Sequence, residues 1–216
     1  MNVDIWSDIA CPFCYVGKKQ FDLALHQFEH RDQVNVRYHS FQLDPDAQID
    51  NEISAYEMLS EKFGKTQEEM RESNSRTFSD VKQYDIELNF DDMKLTNTFD
   101  AHRLLQYAVT KNKQSEVKEQ LLKAYFTDGL NIGHQDVLIK LAHEIGLDKT
   151  EVSEMLDSSD FANDVEADKY HAAELGISGV PMFVFNMEYG ISGAQGTNVI
   201  LEGLNQAWEN TKATSC

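Results

Sequence analysis

Two cysteines three positions apart, Cys11 and Cys14, are the residues of this sequence best suited to covalent chemistry. They follow a short strand-like run from Val3 to Ser7 and open an amphipathic helical pattern. At a helix start, two thiols at this spacing can close a disulfide within one turn. Unpaired backbone N–H groups and the helix dipole also favour a thiolate at the first position. The pattern therefore predicts dithiol–disulfide exchange by this pair.

The composition argues against several other classes of protein. The net charge of −18 over 216 residues repels nucleic acid and anionic membrane surfaces, so neither is expected as a partner. The first residues lack the basic and apolar regions of a secretory signal, and no stretch approaches the roughly 20 apolar residues of a membrane helix. We therefore expect a cytoplasmic protein, in which a cysteine pair is more often redox-active than structural.

The order of predicted elements indicates an α/β protein with a helical insertion. Strand and helix patterns alternate as far as Asp44-Pro45, and strand signals then vanish until the apolar run Met182–Phe185. A second short strand and a last helix follow. The predicted domain boundaries are 1–47 for the first part of the α/β domain, 48–160 for the helical insertion, and 161–216 for the second part with its C-terminal tail.

Within the helical block, residue types indicate where individual helices begin and end. Ser54–Phe63 and Gln67–Tyr84 have the composition of polar, exposed helices. Asn97 and Ser115 can each cap the start of a helix, and Gly146 is placed to stop one.

At this point the chain resembles the DsbA-like branch of the thioredoxin superfamily, and in particular its FrnE-type dithiol–disulfide oxidoreductases. The likeness spans nearly the whole chain. It rests on four segments, which are Cys11–Gly17, Asn97–Arg103, Gly179–Phe183 and Ile191–Gln195. The resemblance implies a thioredoxin-like fold with a large all-helical insertion, and oxidoreductase or isomerase activity on protein or peptide thiols and disulfides.

The family pattern also implies roles for individual residues. Cys11 would be the exposed nucleophilic thiolate and Cys14 the more buried resolving thiol. Pro181 would be a cis-proline packed against the pair, and Val180 would offer backbone hydrogen bonds to an extended substrate.

Two residues between the cysteines complete the predicted substrate-binding set. Pro12 suits the first turn of a helix, where no N–H is needed, and can stiffen the redox pair. Phe13 is expected to show an apolar face to substrate peptides. Periplasmic DsbA carries a histidine between its cysteines, so the resemblance does not imply DsbA's strong oxidising power for this chain. Some relatives have a second C-terminal cysteine pair, whereas this chain has Cys216, which could pair with Cys11 or with another chain.

A structural disulfide or half of a zinc site are the plainer interpretations of the cysteine pair. Zinc normally needs four ligands, and His26 and His30 lie about 20 Å further along the predicted helix. No metal is therefore expected. The predicted redox group is the Cys11–Cys14 disulfide itself, without a bound cofactor, and glutathione is a candidate co-substrate.

Two other functions stay open on this sequence. Kappa-type glutathione transferases and 2-hydroxychromene-2-carboxylate isomerases share the core and the helical insertion, but carry serine where this chain has Cys11. A non-catalytic, chaperone-like binder of apolar segments is the third reading. The sequence leaves open the direction of electron flow, the natural substrate, the recycling partner and the oligomeric state.

Overall fold

The computed structural model describes residues 1–214, so the expectations for Cys216 lie outside the described residues. Within this range the chain forms four strands and nine α-helices. The strands are β1 (Asn2–Ser7), β2 (Asn35–Ser40), β3 (Met182–Phe185) and β4 (Tyr189–Ser192). The helices are α1 (Pro12–Gln27), α2 (Ala55–Phe63), α3 (Gln67–Thr77), α4 (Phe99–Thr110), α5 (Gln114–Phe126), α6 (Gln135–Glu144), α7 (Lys149–Asp157), α8 (Ala162–Glu174) and α9 (Thr197–Thr214).

The chain divides into two compact units, which we call the sheet unit and the helical unit. The sheet unit comprises residues 1–43 and those from 162 onward, and the helical unit comprises residues 44–161. The sheet unit holds all four strands together with α1, α8 and α9, and the helical unit holds α2 to α7.

The sheet has the order β2-β1-β3-β4 and mixes parallel with antiparallel pairing. β1 pairs in parallel with β2, in the register that sets Ile5 opposite Tyr38. β3 runs antiparallel to β1, with Phe183 opposite Ile5, and β4 runs antiparallel to β3. The predicted thioredoxin-like α/β fold with its helical insertion is confirmed.

Alternation along β1 sends side chains to two different layers. Val3 and Ile5 point into a core that α1 and α9 close, whereas Trp6 belongs to a smaller cluster on the side of α8. The larger core consists of Val3, Ile5, Phe21, Ala24, Phe28, Tyr38, Phe183, Phe185, Ile200, Leu204 and Ala207. The smaller cluster consists of Trp6, Ala172, Ile177 and Val184, with Phe41, Val180 and Met182 packed against it.

A polar network lies in the layer between the sheet and α8. His39 on β2 bonds Asp168 of α8 through Nδ1 at 2.6 Å and Asp4 of β1 through Nε2 at 2.8 Å. The other carboxylate oxygen of Asp168 accepts the backbone N–H of Ser40 at 2.7 Å. The Trp6 ring stacks on the imidazole with 4.4 Å between centroids. One imidazole thus links two strands to the helix that precedes β3.

Burial alone would disfavour the charged form of this imidazole, whose side chain is 10% exposed. Burial lowers the pKa of His39, but the hydrogen bonds and negative charges of Asp168 and Asp4 outweigh it, so that the pKa is raised overall. Below that raised pKa the network is an imidazolium held between two carboxylates.

In the helical unit, side chains cap the starts of α2, α3 and α7. Ser54 caps α2 by accepting the Glu57 N–H at 3.1 Å. Thr66 and Glu69 form a reciprocal capping box at the start of α3. Asp148 caps α7. Among residues 1–214, none of the helices combines the length and apolarity needed to cross a membrane.

Three predicted details of the helical unit were wrong. α3 ends at Thr77 and a separate 3-10 turn, Val81–Tyr84, follows, since Ser79 and Asp80 between them have side chains that compete for backbone hydrogen bonds. The N-cap of α5 is Lys113, not Ser115. The N-cap of α4 is Thr98, not Asn97.

The segment Asn97–Arg103 has a structural role within the helical unit. The Asn97 side chain donates to the carbonyls of Pro45 and Ala47, and its oxygen accepts the Phe99 N–H at 2.8 Å. The buried Arg103 guanidinium pairs with Asp100 and donates to four carbonyls, those of Met155, Leu156, Ser158 and Asp160. These hydrogen bonds give Asn97, Asp100 and Arg103 a structural role.

The His39 network predicts a pH dependence of stability, tested with His39→Gln, which stays neutral. A pKa raised above the unfolded value of about 6.5 gives stability that is fully present below that value. That stability is lost as the pH rises through the folded pKa. In urea unfolding near pH 5.5 we expect the variant to be less stable by about 3 kcal/mol, with a smaller difference near pH 9. His26→Gln, at an exposed position of α1, is the control. A His39→Gln deficit that does not change with pH contradicts the charged network.

Candidate active site

The two cysteines lie at the N-terminus of α1, directly after the loop that leaves β1. Cys11 is the N-cap residue and Pro12 occupies the first helical turn, where its missing N–H costs nothing. The carbonyl of Cys11 accepts the backbone N–H groups of Cys14 at 3.0 Å and Tyr15 at 3.3 Å. Both cysteines are buried thiols, with Cys11 5% and Cys14 1% exposed. The helix start thus brings the predicted pair together in its dithiol form.

The loop before β3 faces the first cysteine. The Val180–Pro181 peptide bond is cis. The Cys11 thiol donates to the Val180 carbonyl, with 3.6 Å between sulfur and oxygen. The Pro181 carbonyl accepts the backbone N–H of Gly193 at 2.8 Å, which ties the loop to the end of β4. Val180 and Pro181 therefore lie beside the cysteines, although about 170 positions separate them in the sequence.

A glycine in α1 permits this close approach. A Cβ atom on Gly17 would lie 2.9 Å from Pro181 Cγ and 3.2 Å from Phe183 Cζ. Real Cβ atoms essentially never lie as close as 2.9 Å to another heavy atom, so a side chain here would push the proline ring away from the helix. Gly17 was not among the residues we predicted for the site, although it closes the Cys11–Gly17 segment.

The surroundings of Cys11 favour its thiolate. The hydrogen bond from the Cys14 thiol is the largest influence and lowers the pKa of Cys11. Backbone N–H groups of Cys14 and Phe13 at the helix start lower it further, while burial and the charge of Asp8 raise it. The net effect is a pKa below the ordinary value of a cysteine. Cys11 therefore forms its thiolate at a lower pH than an ordinary cysteine does.

Some side chains between and beside the cysteines are partly exposed to solvent. Phe13 is 45% exposed, and Pro12 and Val180 are half-buried. An apolar ring next to a recessed sulfur offers a contact surface for a substrate side chain. As for metals, residues 1–214 contain no group of three or more His, Cys, Asp or Glu side chains placed to hold an ion.

Two charged residues near the pair are unexpectedly buried. Asp8 is 1% exposed in the loop before Cys11. Lys18, one turn beyond Cys14 in α1, is 4% exposed and bonds Asp22 at 2.7 Å. Sequence patterns give no signal for such burial, because an Asp in a loop and a Lys in an amphipathic helix are ordinarily solvated.

Comparison with known proteins finds a matching family and several similar proteins. A sequence model of the family described as DSBA-like thioredoxin domain matches residues 2–205. The crystal structure of a probable DsbA oxidoreductase from Streptomyces coelicolor is 38% identical, with a TM-score of 0.91, covering 97% of this chain and 90% of that chain. The Bacillus subtilis protein YwbO, described as uncharacterized, is 29% identical over 95% of this chain and 96% of its own length.

A more distant structure shares the fold. It is described as the cytosolic disulfide reductase DsbM from Pseudomonas aeruginosa with GSH, and superposes with a TM-score of 0.70. Its sequence is 13% identical, and the match covers 97% of this chain and 100% of that chain. At that identity the likeness concerns the architecture alone.

The contact between Gly17 and Pro181 predicts the effect of a single methyl group. Overpacking lowers the free energy of unfolding by about 1–3 kcal/mol. The higher helix propensity of alanine raises it by about 1 kcal/mol. The proline ring cannot rotate away, so we expect Gly17→Ala to lose about 1–2 kcal/mol in denaturant unfolding. Gly179→Ala is the matched control, since no atom lies within 4 Å of its added methyl group. Equal stability of the two variants contradicts the packing argument.

The bond between the two thiols predicts a change in the titration of Cys11. Cys14→Ala removes the donor, so we expect the pKa of Cys11 to rise, whereas Cys14→Ser retains a donor and should raise it less. The pH dependence of alkylation by iodoacetamide, with the label located on Cys11 by peptide mass, measures this shift. The same midpoint in both variants would show that the Cys14 side chain does not stabilise the thiolate.

Proposed function

We propose a function from one established premise, namely that the chain belongs to the DsbA-like thioredoxin family. At family level this makes it a thiol–disulfide oxidoreductase. We assign the exchange reaction to Cys11 and Cys14, and we infer that the substrates are disulfides of proteins or peptides. The observation that carries the proposal is the Cys11 sulfur, hydrogen-bonded to Cys14 and 3.6 Å from the carbonyl of the cis-proline loop.

In the reducing direction the reaction has two displacements. The Cys11 thiolate attacks one sulfur of a substrate disulfide, and a Cys11–substrate disulfide forms as the other substrate sulfur leaves and takes up a proton. The Cys14 thiol then loses its proton and attacks Cys11 Sγ. The Cys11–Cys14 disulfide forms and the second substrate thiol is released. The substrate gains two electrons and two protons, which the pair loses, and the reverse sequence oxidises a substrate dithiol.

The burial of each sulfur suits its proposed role. Cys11 is the more accessible thiol, and its lowered pKa supplies the nucleophile. Cys14 is 1% exposed, so a substrate cannot readily reach it, yet it contacts Cys11 directly. This arrangement supports first attack by Cys11 and resolution by Cys14.

Substrate binding is proposed for the four residues around the pair. Phe13 offers an exposed ring, and Pro12 stiffens the helix start beneath it. Val180 and Pro181 border Cys11 from the opposite side, so an extended segment bringing its disulfide to Cys11 would run along their backbone. Such a site can accept a peptide whose disulfide has one accessible sulfur and whose neighbouring residues are extended.

We further propose glutathione as the small thiol that returns the oxidised pair to the dithiol. The Pseudomonas aeruginosa neighbour is described with GSH, and the limited exposure of Cys11 suits a slender thiol. No bound cofactor is needed, because the two sulfurs hold the electrons themselves.

Single-sulfur variants test the proposal with a fluorescence-quenched peptide that carries one disulfide, in glutathione buffer. We expect Cys11→Ser to reduce the peptide at the background rate, because the attacking sulfur is gone. Cys14→Ser should accumulate a Cys11–peptide mixed disulfide, visible as an added peptide mass, because the resolving sulfur is gone. Phe13→Ala should raise KM more than it lowers kcat.

Each outcome discriminates between functions. Peptide reduction by Cys11→Ser at the parent rate refutes the exchange mechanism. Turnover of glutathione with an electrophilic substrate by that same variant would identify a glutathione-dependent transferase or isomerase instead. Suppression of aggregation that survives loss of both cysteines, without exchange activity in the parent protein, would identify a chaperone-like binder.

A further inference from the structure

Asp8 is a buried carboxylate beside the reactive pair that the exchange mechanism leaves without a role. It lies in the loop between β1 and α1, three positions before Cys11, and is 1% exposed. Its Oδ2 accepts the backbone N–H of Leu43 at 2.8 Å, and its Oδ1 accepts that of Ala10 at 3.4 Å. The carboxylate therefore joins the loop that carries the cysteines to the segment that follows β2.

Burying a carboxylate is expensive unless it is hydrogen-bonded, and a neutral side chain could bridge two N–H groups at lower cost. Two backbone N–H donors favour the ionised form of this carboxylate. Its Oδ1 lies 3.4 Å from the backbone nitrogen of Ala10, the residue directly before Cys11, so the carboxylate lies beside the start of the reactive segment. Because the group is shielded from water, the interaction is screened much less than that of a surface charge.

We propose that Asp8 is a positioning residue that biases the Cys11–Cys14 couple toward giving up electrons. This inference rests on the proposed exchange function and deepens it by assigning a cause to the direction of electron flow. A fixed negative charge repels the Cys11 thiolate, which exists only in the reduced form. The disulfide carries no charge, so Asp8 destabilises the reduced pair relative to the oxidised pair.

Other groups around Cys11 also shift its pKa, some of them in the opposite direction to Asp8. The Cys14 thiol and two backbone N–H groups lower the pKa of Cys11, and Asp8 raises it. Asp8 is the one charged side chain among these influences. Phe13, between the cysteines, cannot offset it with a positive charge or a hydrogen bond. Removing the charge of Asp8 should therefore leave the thiolate more stable than in the parent protein.

The equilibrium to measure is that of the dithiol with glutathione disulfide, which gives the Cys11–Cys14 disulfide and two glutathione molecules. The parent protein, Asp8→Asn and the control Asp44→Asn are equilibrated in defined glutathione buffers, and alkylated species are counted by mass. Asp44 is an exposed carboxylate one position after Leu43, so its removal changes net charge equally but in solvent.

We expect Asp8→Asn to shift this equilibrium constant about tenfold toward the dithiol, which corresponds to a reduction potential about 30 mV less negative. Asp44→Asn should shift it little. The alkylation midpoint of Cys11 should also move to lower pH in Asp8→Asn, a change that a purely structural role of Asp8 would not produce. Asp8→Ser, also neutral and hydrogen-bonding, provides the same comparison if the Asn variant does not fold.

Failure of this inference is distinguishable from failure of the proposed function. If the parent protein forms no Cys11–Cys14 disulfide at any glutathione ratio, the exchange function itself is wrong. If the parent forms it and Asp8→Asn shifts the constant no more than Asp44→Asn does, or shifts it toward the disulfide, the role of Asp8 is overturned. A potential and a midpoint that both move in the expected direction support it.

Discussion

The contact between the first turns of α1 and the loop before β3 is the constraint on which the rest of the sheet unit depends. Gly17 lets the Pro181 ring lie against the helix, and the Val180 carbonyl then meets the Cys11 thiol. Antiparallel pairing of β1 with β3 brings the two segments together, because each lies close to its strand. A displacement in that pairing would separate the thiol from the loop, however well the cysteines were placed on their own helix.

The two faces of the sheet contribute differently to this arrangement. On one face, apolar side chains of β1 and β3 pack against α1 and α9. This buried contact fixes the distance between the sheet and α1, the helix that carries the cysteines. On the other face, the His39 imidazole between Asp4 and Asp168 ties α8 to the strands, and the Trp6 ring stacks on it. Val180 and Met182 pack against that Trp6 cluster, so the second layer supports the loop that faces Cys11.

Much of the fold could be predicted from the chain itself. The period-2 run in β1, the amphipathic pattern after the cysteines and the apolar run of β3 are local signals, and the predicted α/β fold with a helical insertion is confirmed. The roles of Cys11, Cys14, Val180 and Pro181 stay predictions, now with a geometry beside them. Asp8 and Gly17 could not be found in this way. Their importance depends on a carbonyl, an N–H or a ring supplied by distant residues, and spacing along the chain does not encode that.

The predicted caps show the same limit on a smaller scale. Ser54 caps α2 by a local contact, with the N–H of Glu57 three positions away. Asn97 accepts the Phe99 N–H at the start of α4, but its side chain also donates to the carbonyls of Pro45 and Ala47, about 50 positions earlier, and Thr98 occupies the N-cap position. Local rules identify residue types that can cap, and tertiary contacts decide which of them do.

The insertion of residues 44–161 between β2 and α8 has a consequence for synthesis on the ribosome. Val3 pairs with Phe185, so β1 lacks one of its two neighbours until some 180 further residues have been made. At about 5–20 residues per second this takes roughly 10–40 s, and the helical unit is synthesised within that interval. Cys11 and Cys14 are therefore made well before the loop that faces them. Throughout that interval their sulfurs are open to any oxidant or partner in the surroundings, so the nascent chain is the form most vulnerable to wrong disulfides.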